Sequence, residues 1–375
     1  MTAKPTSPAA SRAMTPALTP RLPLRELPPV QHGLAAWHGP DLAARTDEWT
    51  LALSDADVAE LEGALGAFLA RPGEVARNIG RMTADAFPLP DLSGRLRALR
   101  AELLHGRGFA LLRRLPVERY SLTESAALFM GIGAHLGRPR SQNAQGHVLG
   151  HVRDLGLSSQ DPNVRIYQTR ERQTFHTDST DVVGLLCLRE ALRGGDSLLV
   201  SALTLYNALL STRPDLLARL CRPMAHDRRG EVPEGQKPYF LIPVFSWHAG
   251  QLTVFYQRQY FDSAQRFADA PRLTPEDVEA LDAFDALAND PRLHLTMRLA
   301  PGDVQFVHNH EMLHDRTAFD DPEDPSRKRH LLRLWLAVPG ARALPDAFAA
   351  RYGSLTVGDR GGIVVPGTQF TVPLD

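Results

Sequence analysis

Residues 174–201 read TFHTDSTDVVGLLCLREALRGGDSLLVS, and this stretch decides the fold. Val182 to Cys187 and Ser197 to Ser201 are short apolar segments, which is the pattern of buried strands. Gly194 and Gly195 lie between them, where a turn is expected. Short strands separated by turns indicate a sandwich or a barrel.

The same strand pattern recurs on both sides of this stretch, and helical periodicity surrounds it. The further predicted strands are Gly108–Leu112, Arg165–Gln168, Gln251–Tyr256, Asp303–His308 and His330–Val338. The predicted helices are Ser54–Leu69, Leu92–Leu104, Thr123–Leu136, Thr204–Leu220 and Thr274–Asn289. Residues 360–363 predict a tight turn, followed by a terminal strand. The sequence thus predicts an α+β protein in which helices buttress a β core.

The proline density of residues 1–30 prevents regular hydrogen-bonded structure and predicts a disordered tail. This tail lacks the continuous apolar core of a secretory signal. We therefore expect a cytoplasmic protein with a single folded domain over residues 31–375.

Composition excludes several classes of protein. The 42 basic and 43 acidic residues nearly cancel, so no overall field would draw the chain to nucleic acid. No apolar run is long enough to span a membrane. The two cysteines, Cys187 and Cys221, are not paired in a Cys-x-x-Cys motif, which argues against a disulfide scaffold or a structural zinc site.

His176 and Asp178 form the first chemical motif. In an extended chain, residues two apart direct their side chains to the same face, so this pair could hold one ion. Imidazole and carboxylate together suit iron, manganese or zinc. A lone His-x-Asp pair is nonetheless common by chance.

A histidine-dense segment, residues 302–317, supplies three candidates for a third ligand: His308, His310 and His314. Alternation places His308 and His310 on one face of a strand, where they could instead form a separate polar patch. We expect His314 to lie beyond the end of that strand. Periodicity alone does not choose among the three.

Arg329 and Arg333 lie four residues apart at the predicted strand His330–Val338 and should therefore share a face. At the usual rise per residue they stand about 13 Å apart, enough for one to bind a co-substrate carboxylate and the other a second anion. The alternative is a partly exposed strand whose arginines pair with surface acids.

These motifs occur in an order that resembles the taurine dioxygenase-like family, which includes clavaminate synthase-like proteins. The matching residues are His176 and Asp178, then Gly194-Gly195-Asp196-Ser197, then His314, then Arg329. His314 also has the family's surrounding pattern, with Asn309, Leu313, Arg316 and Phe319 at the matching positions. The resemblance covers roughly residues 105–345.

The resemblance implies a double-stranded β-helix, or jelly-roll, core. It also implies that His176, Asp178 and His314 bind Fe(II), and that Ser197 and Arg329 hold the co-substrate 2-oxoglutarate. The expected reaction with O2 is hydroxylation of a small polar or anionic metabolite, with release of succinate and CO2. Desaturation and ring closure remain open, whereas the carboxylate of Asp178 disfavours halogenation.

Substrate contacts are expected from Gln142, Asn143, His147, Tyr167 and Arg333, of which Arg333 could equally support the co-substrate. For the loop 141–147 the alternative is a solvent-exposed loop. The segment His226–Glu231 could form a lid, and Tyr256 and Arg258 could reach the pocket. Partners other than the small-molecule substrate are not indicated, although a homo-oligomer is open.

Two readings compete with an oxygenase. A non-catalytic protein that binds metal or 2-oxoglutarate would be expected to have lost a ligand, yet all three ligands and Arg329 are present. A zinc hydrolase could use two histidines and an aspartate, but it would not need Ser197 and Arg329.

Overall fold

The protein is described by a computed structural model that covers residues 27–158, 164–365 and 367–374. Its helices are α1 (Gly39–Ala43), α2 (Asp55–Leu69), α3 (Val75–Gly80), α4 (Leu92–His105), α5 (Leu122–Leu136), α6 (Ala202–Thr212), α7 (Pro214–Leu220), α8 (Arg258–Ala264), α9 (Pro275–Ala288) and α10 (Ala349–Tyr352). Helices and strands occur in separate runs along the chain, such as the strands between residues 138 and 201 and those between residues 224 and 254, so the mixed α and β content predicted from the sequence is confirmed.

The strands are short. They are β1 (Thr50–Ala52), β2 (Phe109–Arg113), β3 (Arg138–Arg140), β4 (Leu149–Val152), β5 (Gln173–His176), β6 (Val182–Arg189), β7 (Arg193–Gly194), β8 (Ser197–Ser201), β9 (Met224–Asp227), β10 (Tyr239–Ile242), β11 (Phe245–His248), β12 (Gln251–Val254), β13 (Leu295–Met297), β14 (Val304–His308), β15 (Met312–Arg316), β16 (Phe319–Asp320) and β17 (His330–Ala337).

Most of these strands belong to two sheets. The major sheet has seven strands in the order β1-β2-β14-β6-β17-β3, with β4 also paired to β17. The minor sheet has four strands in the order β13-β8-β15-β5. The pairing is antiparallel throughout both sheets except between β1 and β2.

The two sheets pack face to face. Successive residues of a strand point to opposite faces, so the buried side chains of one sheet belong to two different clusters. In the major sheet Leu332 and Leu334 pack with helices α2 to α5, whereas Leu331 and Trp335 pack in a second cluster. That second cluster also contains minor-sheet residues, among them Leu199. It is therefore the layer between the sheets.

The outer face of the minor sheet is covered by helices α6, α7 and α9. Leu313 points to that face, and Met312 points into the layer between the sheets. Alternation then directs His314 and Arg316 inward as well. Functional side chains can thus meet between the sheets, shielded from water on both sides.

Helix starts follow from local chemistry. Ser54 caps α2 by accepting a hydrogen bond from the Asp57 backbone N–H, while the Asp57 carboxylate accepts one from the Ser54 N–H at 2.7 Å. Ser121 and Glu124 form the same capping box at α5. The helices predicted at 54–69, 92–104 and 123–136 are confirmed to within one residue.

Four predictions of local structure are wrong. Residues Ile166–Gln168 form a 3-10 helix rather than a strand. The helix predicted over 204–220 is two helices, because Pro214 has no N–H to continue the first one. His310 lies in the turn after β14 and not on one strand face with His308, whereas His314 does lie beyond that strand, in β15. The predicted terminal strand is replaced, in the described residues after Ile363, by one isolated bridge between His147 and Thr371.

The turn predicted at 360–363 is confirmed. Gly361 and Gly362 both have positive φ, 75° and 76°, where a residue with a Cβ would be strained. The Gly362 N–H donates to the Ser179 carbonyl at 2.8 Å, which ties the C-terminal segment to the chain just after Asp178.

Of the disordered tail predicted over residues 1–30, residues 1–26 lie outside the described residues. Residues 27–30 are described, and Leu27 packs against the helix-covered core. The carbonyl of Pro28 accepts a hydrogen bond from the Tyr206 hydroxyl. None of the helices in the described part of the chain has the length and hydropathy needed to cross a bilayer.

Candidate active site

Three potential metal ligands converge between the sheets. His176 ends β5, Asp178 follows two residues later, and His314 lies on β15 as the direct cross-strand partner of His176. One ligand atom from each lies within 4.8 Å of the other two, and all three side chains are buried. Their arrangement can hold one ion.

The protonation state of the histidines suits metal binding. His176 Nδ1 lies 2.8 Å from the Thr174 carbonyl and can donate to it, so the lone pair is on Nε2. That lone pair accepts from the Gln173 side-chain amide at 2.8 Å, a contact that a bound metal would replace. Burial lowers the pKa of His176, and burial together with the neighbouring His176 lowers the pKa of His314 to about 3. Both imidazoles are therefore neutral, the form that ligates metals.

Asp178 is held as a carboxylate. Burial alone would raise its pKa, but Arg333 and the two histidines outweigh that effect and lower it. The indole N–H of Trp335 donates to Asp178 Oδ2 at 2.8 Å, and the Asp178 backbone N–H donates to Asn309 Oδ1 at 2.9 Å. These bonds fix the orientation of the carboxylate.

The donor set is two neutral imidazoles and one carboxylate, which is the facial triad typical of Fe(II) oxygenases with open coordination positions. The residues therefore fit Fe(II). Of the three candidate histidines, only His314 lies with His176 and Asp178 in this group, since His308 and His310 have other partners. His308 lies 3.3 Å from the Glu311 carboxylate and His310 lies 2.9 Å from Asp181, in a separate buried polar cluster.

A cavity next to the triad contains two arginines that lack an anion. Among the described residues its one lining carboxylate, Asp315, is paired with Arg172 at 2.6 Å. The other lining residues are Val152, Tyr167, Gln173, His176, Leu185, Ser197, Leu299, His314, Arg316, Arg329, Leu331 and Arg333. Arg329 is 5% exposed, its Nη1 has no hydrogen-bond partner, and no carboxylate among the described residues lies within ion-pair distance of it. Burial lowers the pKa of Arg329, yet an arginine remains charged.

Arg316 was not among the site residues predicted from the sequence. Its Nε and Nη1 are buried without partners, and Nη2 donates only to the Thr169 carbonyl. Burial and the charge of Arg329 lower its pKa to about 9. Both guanidiniums lie near the ring of Phe319, with Arg316 at 4.7 Å and Arg329 at 5.1 Å from the ring centre. Two buried cations side by side need an anion.

Ser197 and the Gly-Gly turn before it help to shape this cavity. Ser197 Oγ donates to Gln305 Oε1 at 2.9 Å, so its own lone pairs can still accept. Gly195 has a φ of 74°, and a Cβ there would come within 2.8 Å of Arg329 Nε. The glycine thus leaves room for the guanidinium of Arg329.

Arg333 lines a second, larger cavity as well as the first one, and the two cavities also share Tyr167 and His176. Its guanidinium lies 3.7 Å from Asp178 Oδ1 and 4.6 Å from the ring centre of Tyr167. Arg329 and Arg333 both line one cavity, which confirms that they share a face.

The larger cavity is markedly polar. Its lining includes the triad residues His176 and Asp178 and the following charged or polar residues: Gln142, Arg165, Tyr167, Gln173, Thr177, Ser179, Arg229, Glu231, Gln257, Gln259, Tyr260, Arg333 and Arg351. It opens directly onto the metal-ligand atoms and is the candidate substrate cavity.

Comparison with known proteins identifies the family. The family model described as taurine catabolism dioxygenase TauD, TfdA family matches residues 74–335. The chain belongs to the TauD/TfdA family. It is 36% identical to FR-33289 synthase from Streptomyces rubellomurinus over 314 residues, which is 82% of this chain and 90% of that protein. It is 32% identical to the taurine hydroxylase-like protein SAT17 from Stachybotrys chartarum, over 81% of each chain.

Solved structures of non-haem iron oxygenases share the fold of this TauD/TfdA member. An asparagine oxygenase bound to Fe(II), hydroxyasparagine and succinate superposes with a TM-score of 0.59 at 20% identity, over 77% of this chain and 93% of that one. The oxygenase OrfP with Fe and α-ketoglutaric acid gives 0.58 at 17% identity, over 76% and 93%. With its triad, the chain is an Fe(II)- and 2-oxoglutarate-dependent dioxygenase.

Of the five residues predicted for substrate contact in this TauD/TfdA member, three line the larger cavity and two do not. Gln142, Tyr167 and Arg333 line the larger cavity. Asn143 and His147 line neither cavity: the Asn143 amide bonds the His147 ring at 3.1 Å and the backbone of its own loop. The polar side chain of Asn143 stabilises its own turn, and neither Asn143 nor His147 lies at a cavity as the prediction required.

Tyr256 and Arg258 also lie away from the cavity. The Tyr256 hydroxyl donates to Asp285 at 2.6 Å within the helix-covered core, and Arg258 pairs with Asp262, Asp282 and Asp285. The expectation that they reach the pocket is wrong, because acids on α8 and α9 attract both. Gln257, between them, does line the cavity.

Proposed function

We propose that this dioxygenase hydroxylates a small polar or anionic metabolite at an Fe(II) held by His176, Asp178 and His314. The single observation that carries the proposal is the buried, neutral two-histidine and carboxylate set, whose ligand atoms lie within 4.8 Å of one another beside a pair of unpaired arginines. When Fe(II), 2-oxoglutarate and O2 are bound, the metal supplies the oxidising chemistry, and succinate and CO2 are released.

Arg329, Arg316 and Ser197 form the proposed grip on 2-oxoglutarate. A guanidinium binds a carboxylate through two parallel hydrogen bonds, and Arg329 Nη1 is buried with no other partner. Arg316 offers Nε and Nη1 in the same cavity, so the distal carboxylate would be shared between two cations. The Ser197 hydroxyl, with its proton directed to Gln305, can accept or rearrange to donate.

Arg333 is the proposed link between co-substrate and substrate, because it alone of the arginines lines both cavities. Gln142 fixes it through a hydrogen bond from Arg333 Nε at 2.8 Å. Tyr167 packs against the guanidinium on the substrate side. In this arrangement Gln142 is a positioning residue, and Tyr167 and Arg333 contact substrate.

The two facing sheets are proposed to be the halves of a jelly roll, the double-stranded β-helix. Support comes from their antiparallel order and from the similarity to oxygenases of known structure. The layer between the sheets contains apolar side chains such as Val183 and Leu199 beside the buried triad, and Leu199 is the cross-strand neighbour of His314. Helices on the outer faces provide the buttress.

A polar or anionic substrate fits the cavity lining and the relatives. Uridine-5'-phosphate dioxygenase from Amycolatopsis is 32% identical over 47% of this chain, and its named substrate carries a phosphate. The structurally similar asparagine oxygenase and OrfP are bound to hydroxylated amino acids. All of these are small and polar, as the cavity's arginines, glutamines and tyrosines require.

The test is the affinity for 2-oxoglutarate in the Fe(II)-loaded protein under anaerobic conditions. Arg329→Gln should weaken binding by about 30-fold or more, because a desolvated charged hydrogen-bond pair contributes roughly 2–5 kcal/mol. Arg327→Gln, an exposed arginine two residues away, is the matched control and should bind like the wild type. Equal affinities for both variants would contradict the assignment of Arg329.

A further inference from the structure

The substrate cavity carries more positive charge than its acids balance. Four arginines line it: Arg165, Arg229, Arg333 and Arg351. Of its two carboxylates, Asp178 belongs to the metal triad and Glu231 is taken by Arg165 at 2.8 Å. Arg229 and Arg351 therefore face the cavity with no carboxylate partner among the described residues.

Arg229 is held in a backbone conformation that a side-chain-bearing residue rarely adopts. Its φ is 53°, and its N–H donates to the buried Asp227 carboxylate at 2.8 Å, which fixes the turn after β9. The Nε of Arg229 is buried without a hydrogen-bond partner, and the guanidinium lies 5.8 Å from the ring centre of Tyr260. Strain of this kind is concentrated at ligand-binding sites.

Arg351 reaches the same cavity from α10. Its Nε donates to Ser179 Oγ at 2.8 Å, and Ser179 directly follows the metal ligand Asp178. The turn at Gly361 and Gly362 bonds the same stretch of chain, since the Gly362 N–H donates to the Ser179 carbonyl. The terminal nitrogens of Arg351 are thus held beside the triad while remaining free to bind a ligand.

Arg228 adds positive charge close to Arg351 but does not itself line the cavity. Arg228 and Arg351 both lie over Phe240, at 5.2 and 5.9 Å from its ring centre. Arg228 donates to the Lys237 and Ala350 carbonyls and to the Gln236 side chain, and it has no acid partner among the described residues. Burial and the charge of Arg351 lower the pKa of Arg228 to about 10, which still leaves it protonated.

We propose that Arg229 and Arg351 bind a phosphoryl or phosphonyl dianion of the primary substrate. This inference rests on the proposed function, because it takes the larger cavity to be the substrate cavity of the oxygenase. Two guanidiniums approaching from separate elements match a group with two negative charges and three acceptor oxygens. A carboxylate can bridge two guanidiniums, but its single charge would balance only one of the two positive charges.

The neighbouring groups suit the same ligand. Tyr260 accepts a hydrogen bond from Arg165, so its own hydroxyl proton points to another acceptor and can reach an anionic oxygen. Glu231 is neutralised by Arg165, and this ion pair joins the turn after β9 to the segment before Tyr167.

The experiment is calorimetric titration with methylphosphonate at pH 8, with 2-oxoglutarate saturating so that Arg316 and Arg329 are occupied. It is run anaerobically with Fe(II) and repeated without metal. Wild type should bind methylphosphonate more tightly than methanesulfonate or acetate, and should not bind neutral dimethyl methylphosphonate. Arg229→Gln and Arg351→Gln should each weaken binding at least tenfold, whereas the exposed Arg71→Gln should not.

The outcomes separate this inference from the proposed function. Equal binding of methylphosphonate and acetate, or unchanged affinity in both cavity variants, would overturn the dianion site. Loss of methylphosphonate binding when 2-oxoglutarate is added would place the anion in the co-substrate cavity and overturn it too. A protein that binds methylphosphonate through Arg229 and Arg351 but forms no succinate would retain the dianion site and lose the oxygenase assignment.

Discussion

Gln142 and Arg333 bind each other twice. Arg333 Nε donates to Gln142 Oε1 at 2.8 Å, and Gln142 Nε2 donates to the Arg333 backbone carbonyl, also at 2.8 Å. Both residues are buried and 191 positions apart in sequence. The loop before β4 therefore sets the direction of the one arginine that faces both cavities.

Replacing Gln142 with leucine should misplace Arg333. Leucine is similar in size but cannot accept from the guanidinium, and an unsatisfied buried charged donor costs about 1–3 kcal/mol or more. We expect the 2-oxoglutarate concentration that half-saturates succinate formation to rise about tenfold. An unchanged value would show that Gln142 does not position Arg333.

Asn143→Ala is the matched control in the same loop. Asn143 Oδ1 accepts from the backbone N–H groups of Gln145 and His147 and contacts neither cavity. We expect thermal unfolding to shift to lower temperature, by an amount that corresponds to about 1 kcal/mol, with the 2-oxoglutarate dependence unchanged. A large change in the 2-oxoglutarate dependence of succinate formation would show that Asn143 takes part in the active site.

Trp335→Phe should weaken Fe(II) binding without removing a ligand. The indole N–H holds Asp178 Oδ2, and loss of such a bond to a ligating group commonly costs 10- to 100-fold in metal affinity. Fe(II) affinity can be measured by anaerobic competition with a chelator. Trp247→Phe, at an exposed tryptophan, should match the wild type; equal affinity in Trp335→Phe would rule out an orienting role.

Gly195→Ala should disturb the co-substrate cavity. Alanine at this position would have to adopt a positive φ, which costs about 1 kcal/mol. Its Cβ would also come too close to Arg329 Nε. We expect 2-oxoglutarate to bind roughly tenfold more weakly. Gly63→Ala, in α2 with nothing near the added methyl group, should leave that affinity unchanged. Wild-type affinity in Gly195→Ala would mean that Arg329 can shift freely.

His226 should make stability depend on pH. Its ring is buried among Phe240, Phe255 and Phe261, and burial lowers its pKa from 6.5 to about 3. The folded form therefore excludes a proton that the unfolded chain takes up below pH 6.5. This contribution to stability is complete above pH 6.5 and is lost as pH falls toward 3.

His226→Phe removes that proton uptake. Between pH 6.5 and 4.5 the free energy of unfolding of the variant should fall less steeply than that of the wild type, by about 1.4 kcal/mol per pH unit. Denaturant titration at several pH values measures the slope. Parallel pH profiles would show that His226 is not excluded from protonation in the folded protein.

Much of the site followed from local sequence pattern. His176 and Asp178 were expected on one face, and they do meet, although Asp178 lies just past the end of β5 rather than within it. The shared face of Arg329 and Arg333 followed from their spacing. Arg316 could have been found the same way, since it lies two residues after His314, but that required recognising β15.

What could not be predicted depends on contacts between distant segments. Nothing local in the sequence indicates that Arg229 and Arg351 line one cavity, or that Asn143 turns inward to its own loop. Strand β15, which follows the turn at 309–311, was likewise not predicted, because this polar, histidine-containing strand does not alternate apolar and polar residues. Such positions are decided by packing, which is set by the whole fold.

The most direct test of the central claim is anaerobic reconstitution of the full chain with Fe(II) and 2-oxoglutarate, followed by O2. We expect one Fe(II) per chain, a weak visible charge-transfer band from the chelate, and succinate once O2 is added. His176→Ala and His314→Ala should lose the iron and the band. A wild-type protein that shows neither band nor succinate, or a His314→Ala variant that keeps both, would contradict it.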